Sequence, residues 1–531
     1  MNSKITRHYS RALFSFLLTL SILTSTMPPQ VAQAAITDAS MLDAIASTVS
    51  IVERILSAIQ GFIGEDSVAQ TTSGGNQGNG GNHPYLLFTD ADVATLRSEA
   101  NDSTSFNYSY WQILKNKCAS DYGNAASIFS ASGPSSANQI ADGGRILRDL
   151  AVCSVLHSDA ATRTNYVNAV RQELTDMSNW SSFGIQNVGG VIYFIGRAYI
   201  NIAIAYDIAY DSFTTSAQIT SRTNLEKLLY KEMVNTLYNN DENWGTRNLN
   251  ERLGNHNVHA YSSMLAVGLA IKSANIPALS ISIQGIIDKG KAGVDNILLF
   301  NYDRDGAAFE NINYQPETVA RYSYMAFEIY KNVLGNDPFQ RKTWGDSIPA
   351  LQGYTDFHLQ MLFPWLQTWP SFDDGSVCPQ STNGPVCIGN PFLPLILATE
   401  HYNDRVATWY IDRIKAKGKS PNAEEAVFGS LWGNKLTPQT PSQAGRPAEF
   451  QVYNSQAPSS NTDAYGAGFV FMRTGFEDEN DIQLVAQAID SGAFHGQADQ
   501  GEYVLNAYGT QFLTDMFSAY GQGDGGYTGN P

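Results

Sequence analysis

Apolar positions recur at three- and four-residue spacing through most of this chain, the period at which an α-helix buries one face. Segments with that spacing run over residues 109–119, 140–158, 161–177, 188–211, 222–239, 256–274, 280–299, 317–334, 352–366 and 392–416, and each predicts a helix. Several, such as Val188 to Tyr210 and Val258 to Ile271, are apolar over most of their circumference, as expected of helices enclosed by others. Two concentric helical layers account for both kinds, with inner helices apolar nearly all round and outer ones amphipathic. Near Pro447 the period changes to two. Strands are predicted at 449–453, 468–473, 481–488, 501–507 and 511–515. Along the fourth, Tyr503, Leu505 and Ala507 fall on one face and Val504, Asn506 and Tyr508 on the other, and Gly509 marks a tight turn into the fifth. A helical domain over 83–446 and a sheet domain over 447–531 are therefore expected. The sheet region ends at Pro531 in a Gly-rich tail, so an incomplete sheet domain is expected.

Ahead of the helical domain the pattern is different. Lys4, Arg7 and Arg11 precede an apolar stretch from Ala12 to Leu23, and Ala32-Gln33-Ala34 supplies a small-residue cleavage pattern, so residues 1–34 read as a secretory signal peptide. Residues 35–82 hold a short amphipathic helix (Met41, Leu42, Ile45, Val49, Val52, Leu56, Ile59) and a Gly, Asn and Ser linker. Export to the periplasm or beyond is expected, and no later apolar run has the length of a membrane span. Cys118, Cys153, Cys378 and Cys387 have no CxxC spacing, which speaks against zinc fingers and thioredoxin chemistry. Cys378 with Cys387 and Cys118 with Cys153 suit disulfides in an exported protein, and free buried thiols are the other reading.

At 531 residues, 43% hydrophobic and 16% charged, the chain is long enough for a large core and more than one domain. Its formal net charge of -17 argues against nucleic acid as a partner. A few arginines in a cleft can still invert the local potential. No phosphate loop, dinucleotide fingerprint, GxSxG elbow or HExxH helix is present.

Three stretches concentrate polar chemistry among apolar helices. ENWGTRNLNERLGNHNVHAY, residues 242–261, brings Arg247, Arg252, Asn255, His256 and His259 to a loop and helix start, where unpaired backbone N–H groups favour an anion. Helix capping explains one asparagine there but not the cluster. DGAAFENINYQPETVARYSY, residues 305–324, carries Tyr314, Arg321, Tyr322 and Tyr324, although a tyrosine more often packs its ring in a core. FPWLQTWPSFDDG, residues 363–375, offers Trp365 and Trp369 either as stacking platforms for sugar rings or as ordinary packing. A lone histidine, His495, opens the last hairpin.

In this order the stretches resemble the heparinase II/III and alginate lyase superfamily of polysaccharide lyases. HPYLLFTDADVATLRSEA at 83–100 is similar to that group's N-terminal signature, and AYDIAYDS at 205–212 to a further helix. The resemblance implies a mainly α fold, an incomplete (α/α) toroid followed by a truncated antiparallel β-sheet domain. It also implies roles. Asn255 and His256 stand where the superfamily has its Asn-His pair, Tyr314 ends a match to the DG-x3-E-x3-Y pattern, and His495 matches the first histidine of HxH. Relatives hold zinc through the second histidine of HxH, an aspartate 18 residues later and a further histidine. Here the second position is Gln497, Asp515 keeps the spacing and no histidine follows His495, so no metal or other cofactor is expected.

The function so implied is β-elimination on a 4-linked uronate polymer, with alginate first and heparin-like glycosaminoglycan or glucuronan next. Asn255, His256, Tyr314 and His495 would be catalytic, and Arg247, Arg252, His259, Arg321, Trp365 and Trp369 would bind the anionic polysaccharide. A glycoside hydrolase, which needs two carboxylates set apart across the sugar, and a non-catalytic glycan-binding protein are the competing readings.

Overall fold

A computed structural model describes residues 83–122, 137–183, 191–238, 255–300, 302, 320–342, 349–365, 391–454, 468–487 and 502–513. All of them belong to the second of two compact units, Met1–Ser73 and Gly74–Pro531. The expected signal peptide, the helix at 36–64, the linker and the pair Cys378 and Cys387 lie outside the described residues.

After a short entry helix α1 (Val93–Asn101), long helices alternate between two layers. The outer layer holds α2 (Asn107–Asp121), α4 (Ala160–Met177), α6 (Ser216–Glu232), α8 (Ile283–Phe300), α10 (Tyr354–Met361) and α12 (Arg405–Ala416). The inner layer holds α3 (Ala137–Leu156), α5 (Val191–Ala209), α7 (Asn255–Ala270), α9 (Arg321–Leu334), α11 (Phe392–Tyr402) and α13 (Ala423–Gly429). Each inner helix packs on the next, and α13 returns to α3, so the inner helices close a ring. Burial follows the layering. Ala198 to Tyr206 on α5 are buried throughout, directly after half-buried Arg197, and so are Phe392 to Thr399 on α11.

The sequence predicts one helix over 392–416, but the structure divides it. Asn403 adopts a left-handed conformation (φ 51°) that ends α11, and Asp404 accepts from the backbone N–H groups of Val406 and Ala407 to start α12. The body's first residues are anchored on α5 through Asp207. His83 Nδ1 lies 2.6 Å from Asp207 Oδ1, and the N–H groups of Tyr85 and Leu86 donate to Oδ2. The stretches at 83–100 and 205–212 thus meet in space.

The five strands β1 (Phe450–Asn454), β2 (Gly468–Arg473), β3 (Gln483–Gln487), β4 (Glu502–Ala507) and β5 (Thr510–Leu513) form an antiparallel meander in chain order. Tyr508 and Gly509, both at positive φ, make the two-residue turn from β4 to β5, a geometry that matches strand twist. One face of the sheet buries Phe469, Phe471, Val485 and Val504 in the same core as the helices, with Phe357 of α10 against Phe469 and Phe471. Arg473 Nη1 donates to the carbonyls of Leu359 (2.9 Å) and Leu362 (2.6 Å), and Gln483 Nε2 to that of Gln360 (2.7 Å). The open carbonyls at the end of α10 are satisfied by the sheet. The other face carries one apolar row across four strands, pairing Phe450 with Met472, Met472 with Leu484 and Leu484 with Leu505. Phe450 is 57% exposed and Met472 45%.

Candidate functional site

At one end of the ring the N-terminal halves of inner helices surround a cavity of about 400 Å³. Asp142 and Arg145 of α3, Arg197 of α5, Tyr322 of α9 and Glu424 of α13 line it, together with Lys117 of α2. These helices converge because two glycines let their backbones touch. A Cβ on Gly144 would come within 2.9 Å of the Ala198 carbonyl oxygen, and one on Gly196 within 2.7 Å of His259 Cβ. Arg145 follows the first glycine and Arg197 the second. The close seams between α3, α5 and α7 therefore fix where both arginines emerge.

Behind them the charges are tied down. Arg148, without exposed surface, donates from Nε (3.0 Å) and Nη2 (2.7 Å) to Asp149 Oδ1 and from Nη1 (2.8 Å) to Asn201 Oδ1. Arg321 Nη1 donates to Glu424 Oε2, which joins α9 to α13. Arg145 reaches Asp149 Oδ2 only at 3.4 Å and keeps 21% of its side chain exposed. Arg197 places its guanidinium 5.5 Å from the centroid of the Tyr322 ring, whose edge also meets the His259 ring at 4.3 Å.

This crowding moves proton affinities in two directions. Burial pushes the Glu424 carboxyl up, but Arg321, Arg148, Arg197 and Arg145 outweigh it and hold it below the ordinary carboxylate range. Burial raises Asp149, against the pull of Arg148 and Arg145. The Tyr322 hydroxyl is raised by burial and by Glu424, with the arginines opposing, so it keeps its proton at neutral pH. The cavity therefore offers guanidinium groups to an anion and a protonated phenol beside them.

The residues singled out from sequence fall in three groups. Asn255 and His256 are the first two residues of α7, and His259 lies one turn further along, about 4.5 Å of rise from His256, against the cavity's Tyr322. Arg321 is at the site but spends its charge on Glu424. His259 is fully buried behind Tyr322, and Trp365 is buried against Phe363 with ring centroids 4.9 Å apart, so neither presents an open face to a sugar. Arg247, Arg252, Tyr314, Trp369 and His495, with Gln497 and Asp515, lie outside the described residues. Among the described residues no three His, Cys, Asp or Glu side chains stand together as metal ligands.

Arg145, Arg148, Arg197 and Glu424 escaped the sequence reading. A Gly-Arg pair recurs on two apolar helices, at 144–145 and 196–197, and Asn422 and Glu425 form a capping box that announces α13. A disulfide between Cys118 and Cys153 ties α2 to α3 beside Lys117. No described helix is long and apolar enough to cross a membrane.

No family model matches this chain, and no curated protein does. Among solved structures a heparinase III with methylated lysines aligns at 11% identity and a TM-score of 0.41 over 72% of this chain. The aligned part spans about half of that structure's length, 51%.

Proposed function

We propose that this protein is a polysaccharide lyase that cleaves a 4-linked, uronate-containing polysaccharide by β-elimination, with alginate as the first substrate to test. The observation that carries the reading is the guanidinium-lined cavity, whose Tyr322 packs on His259 of α7, the helix that Asn255 and His256 open, in a chain whose net charge is -17. Guanidinium groups gathered at a cavity of an acidic protein suit an anionic polymer. The sequence resemblance adds the reacting groups.

In this reading Asn255 and His256 bind the uronate carboxylate, and neutralising that charge stabilises the enolate-like intermediate formed when the C5 proton leaves. A base, His256 or His495, takes the proton, the C4–O4 bond breaks and Tyr314 protonates O4. Where proton and leaving group share a face, Tyr314 serves both steps. The products are a new chain end with a C4=C5 double bond and a free hydroxyl, and no water is consumed. Export to the periplasm or beyond fits both the signal-like residues 1–34 and the Cys118–Cys153 disulfide.

Incubation with alginate, heparin-like polymers and glucuronan tests the reading through ultraviolet absorbance of the new double bond. Absorbance is expected with one of them and is expected to disappear in Tyr314→Phe. Saturated products with new reducing ends would instead identify a hydrolase, and no turnover of any uronate polymer would remove the lyase assignment.

A further inference from the structure

We propose that the Cys118–Cys153 disulfide is an oxidation-dependent clasp of the helical ring, which locks the seam between α13 and α3 across which the cavity is built. The clasp operates whatever the cavity binds. Asp142 and Arg145 of α3 line the cavity on one side of that seam, and Asn422, Ala423 and Glu424 at the head of α13 line it on the other. The ring's first and last inner helices thus have to meet before the cavity has both walls.

Helix α2 bridges the seam from the outer layer. α13 packs more extensively on α2 than on α3. The N-terminal half of α2 grips the end of α13: Asn107 Nδ2 donates to the carbonyls of Gly429 (3.1 Å) and Trp432 (3.2 Å), and a Cβ on Gly429 would run into the Tyr110 ring. A Cβ on Gly433 would likewise meet the ring of Phe106, just ahead of α2. The C-terminal half of α2 is joined to α3 by the disulfide. Cys118 Sγ lies 3.3 Å from the carbonyl oxygen of Asp149, whose carboxylate holds Arg148 and Arg145, and Lys117 beside it lines the cavity. A covalent tie makes every partial opening in which the two tied helices part more costly, and leaves openings elsewhere as they were. Its formation takes two protons and two electrons from the paired thiols. A disulfide-bearing oxidant accepts them by thiol–disulfide exchange and leaves as two thiols. Both cysteines are buried in the core, so the bond is shielded once the seam has closed. An oxidising compartment therefore completes the cavity wall, and a reducing one leaves α2 able to part from α3 and take α13 with it.

Hydrogen–deuterium exchange of the full chain, read helix by helix, tests the clasp. In Cys118→Ala/Cys153→Ala the amides of α2 and α13 are expected to exchange about tenfold faster or more, while those of α7 and α8, on the other side of the ring, stay within about twofold of wild type. Asn107→Ala keeps the bond and removes the grip. It is expected to speed exchange in α13 and leave α2 protected, which decides the matter if the cysteine variant fails to fold. Uniform acceleration over all helices, or unchanged exchange of α13 in either variant, would overturn the clasp. Exchange is read without substrate, so a failure to cleave any uronate polymer removes the lyase reading and leaves this result standing.

Discussion

Buried carboxylates in this protein divide by what surrounds them. Glu424 sits among guanidinium groups and keeps its charge, whereas burial pushes Glu173 on α4, with Asp176 adding to the effect, up to about 7. For Glu173 the folded state binds the proton more tightly than the unfolded chain, whose carboxyl has its ordinary value of 4.5. Its favourable contribution is complete below 4.5 and is lost as pH rises to about 7. Thermal unfolding across that interval should show a falling melting temperature, and Glu173→Gln should flatten the fall; an unchanged slope would contradict this account. Individual site residues were hard to read for a related reason. Arg145 and Arg197 each follow a glycine inside a helix read for its apolar period, and the cavity they share with Tyr322 of α9 and Glu424 of α13 joins segments far apart in the chain. Asn255 and His256 stood out in the sequence because they belong to a local polar cluster.

Helices were legible wherever they ran for three turns or more, since burial of one face imprints a period that a reader can count. The helix α13, with seven residues, is too short for that, and its only local signal is the capping box of Asn422 and Glu425. The seams between helices left a weaker trace, a glycine inside an apolar run, whose meaning depends on what it faces. Gly196 faces the backbone of His259, where nothing can move aside as a flexible side chain would. Gly196→Ala should therefore push α5 from α7 and cost about 1–3 kcal/mol, measurable by urea unfolding, despite alanine's better helix propensity. A stabilised variant would show that the seam has slack.

At the scale of the molecule, alternation of amphipathic and apolar helices gave the two layers, and the change of period near Pro447 gave the sheet. Closure of the ring through α13 to α3 was not legible, because it joins segments far apart in the chain by a contact without sequence motif. Nor was the fastening of the sheet, which depends on Arg473 and Gln483 finding carbonyls at the end of α10.

The sheet's outward row of Phe450, Met472, Leu484 and Leu505 has a consequence for how the protein behaves as a colloid. A net charge of -17 keeps copies apart at low ionic strength, but at about 0.15 M salt that repulsion reaches only about 8 Å. Salt then acts oppositely on two surfaces of one molecule: it loosens an anionic polymer from the arginines and strengthens adhesion through the greasy row. Retention on a hydrophobic medium should rise with ammonium sulfate and fall in Met472→Lys, while polymer binding declines over the same series. Purification by salting onto such a medium would then also strip off bound polysaccharide.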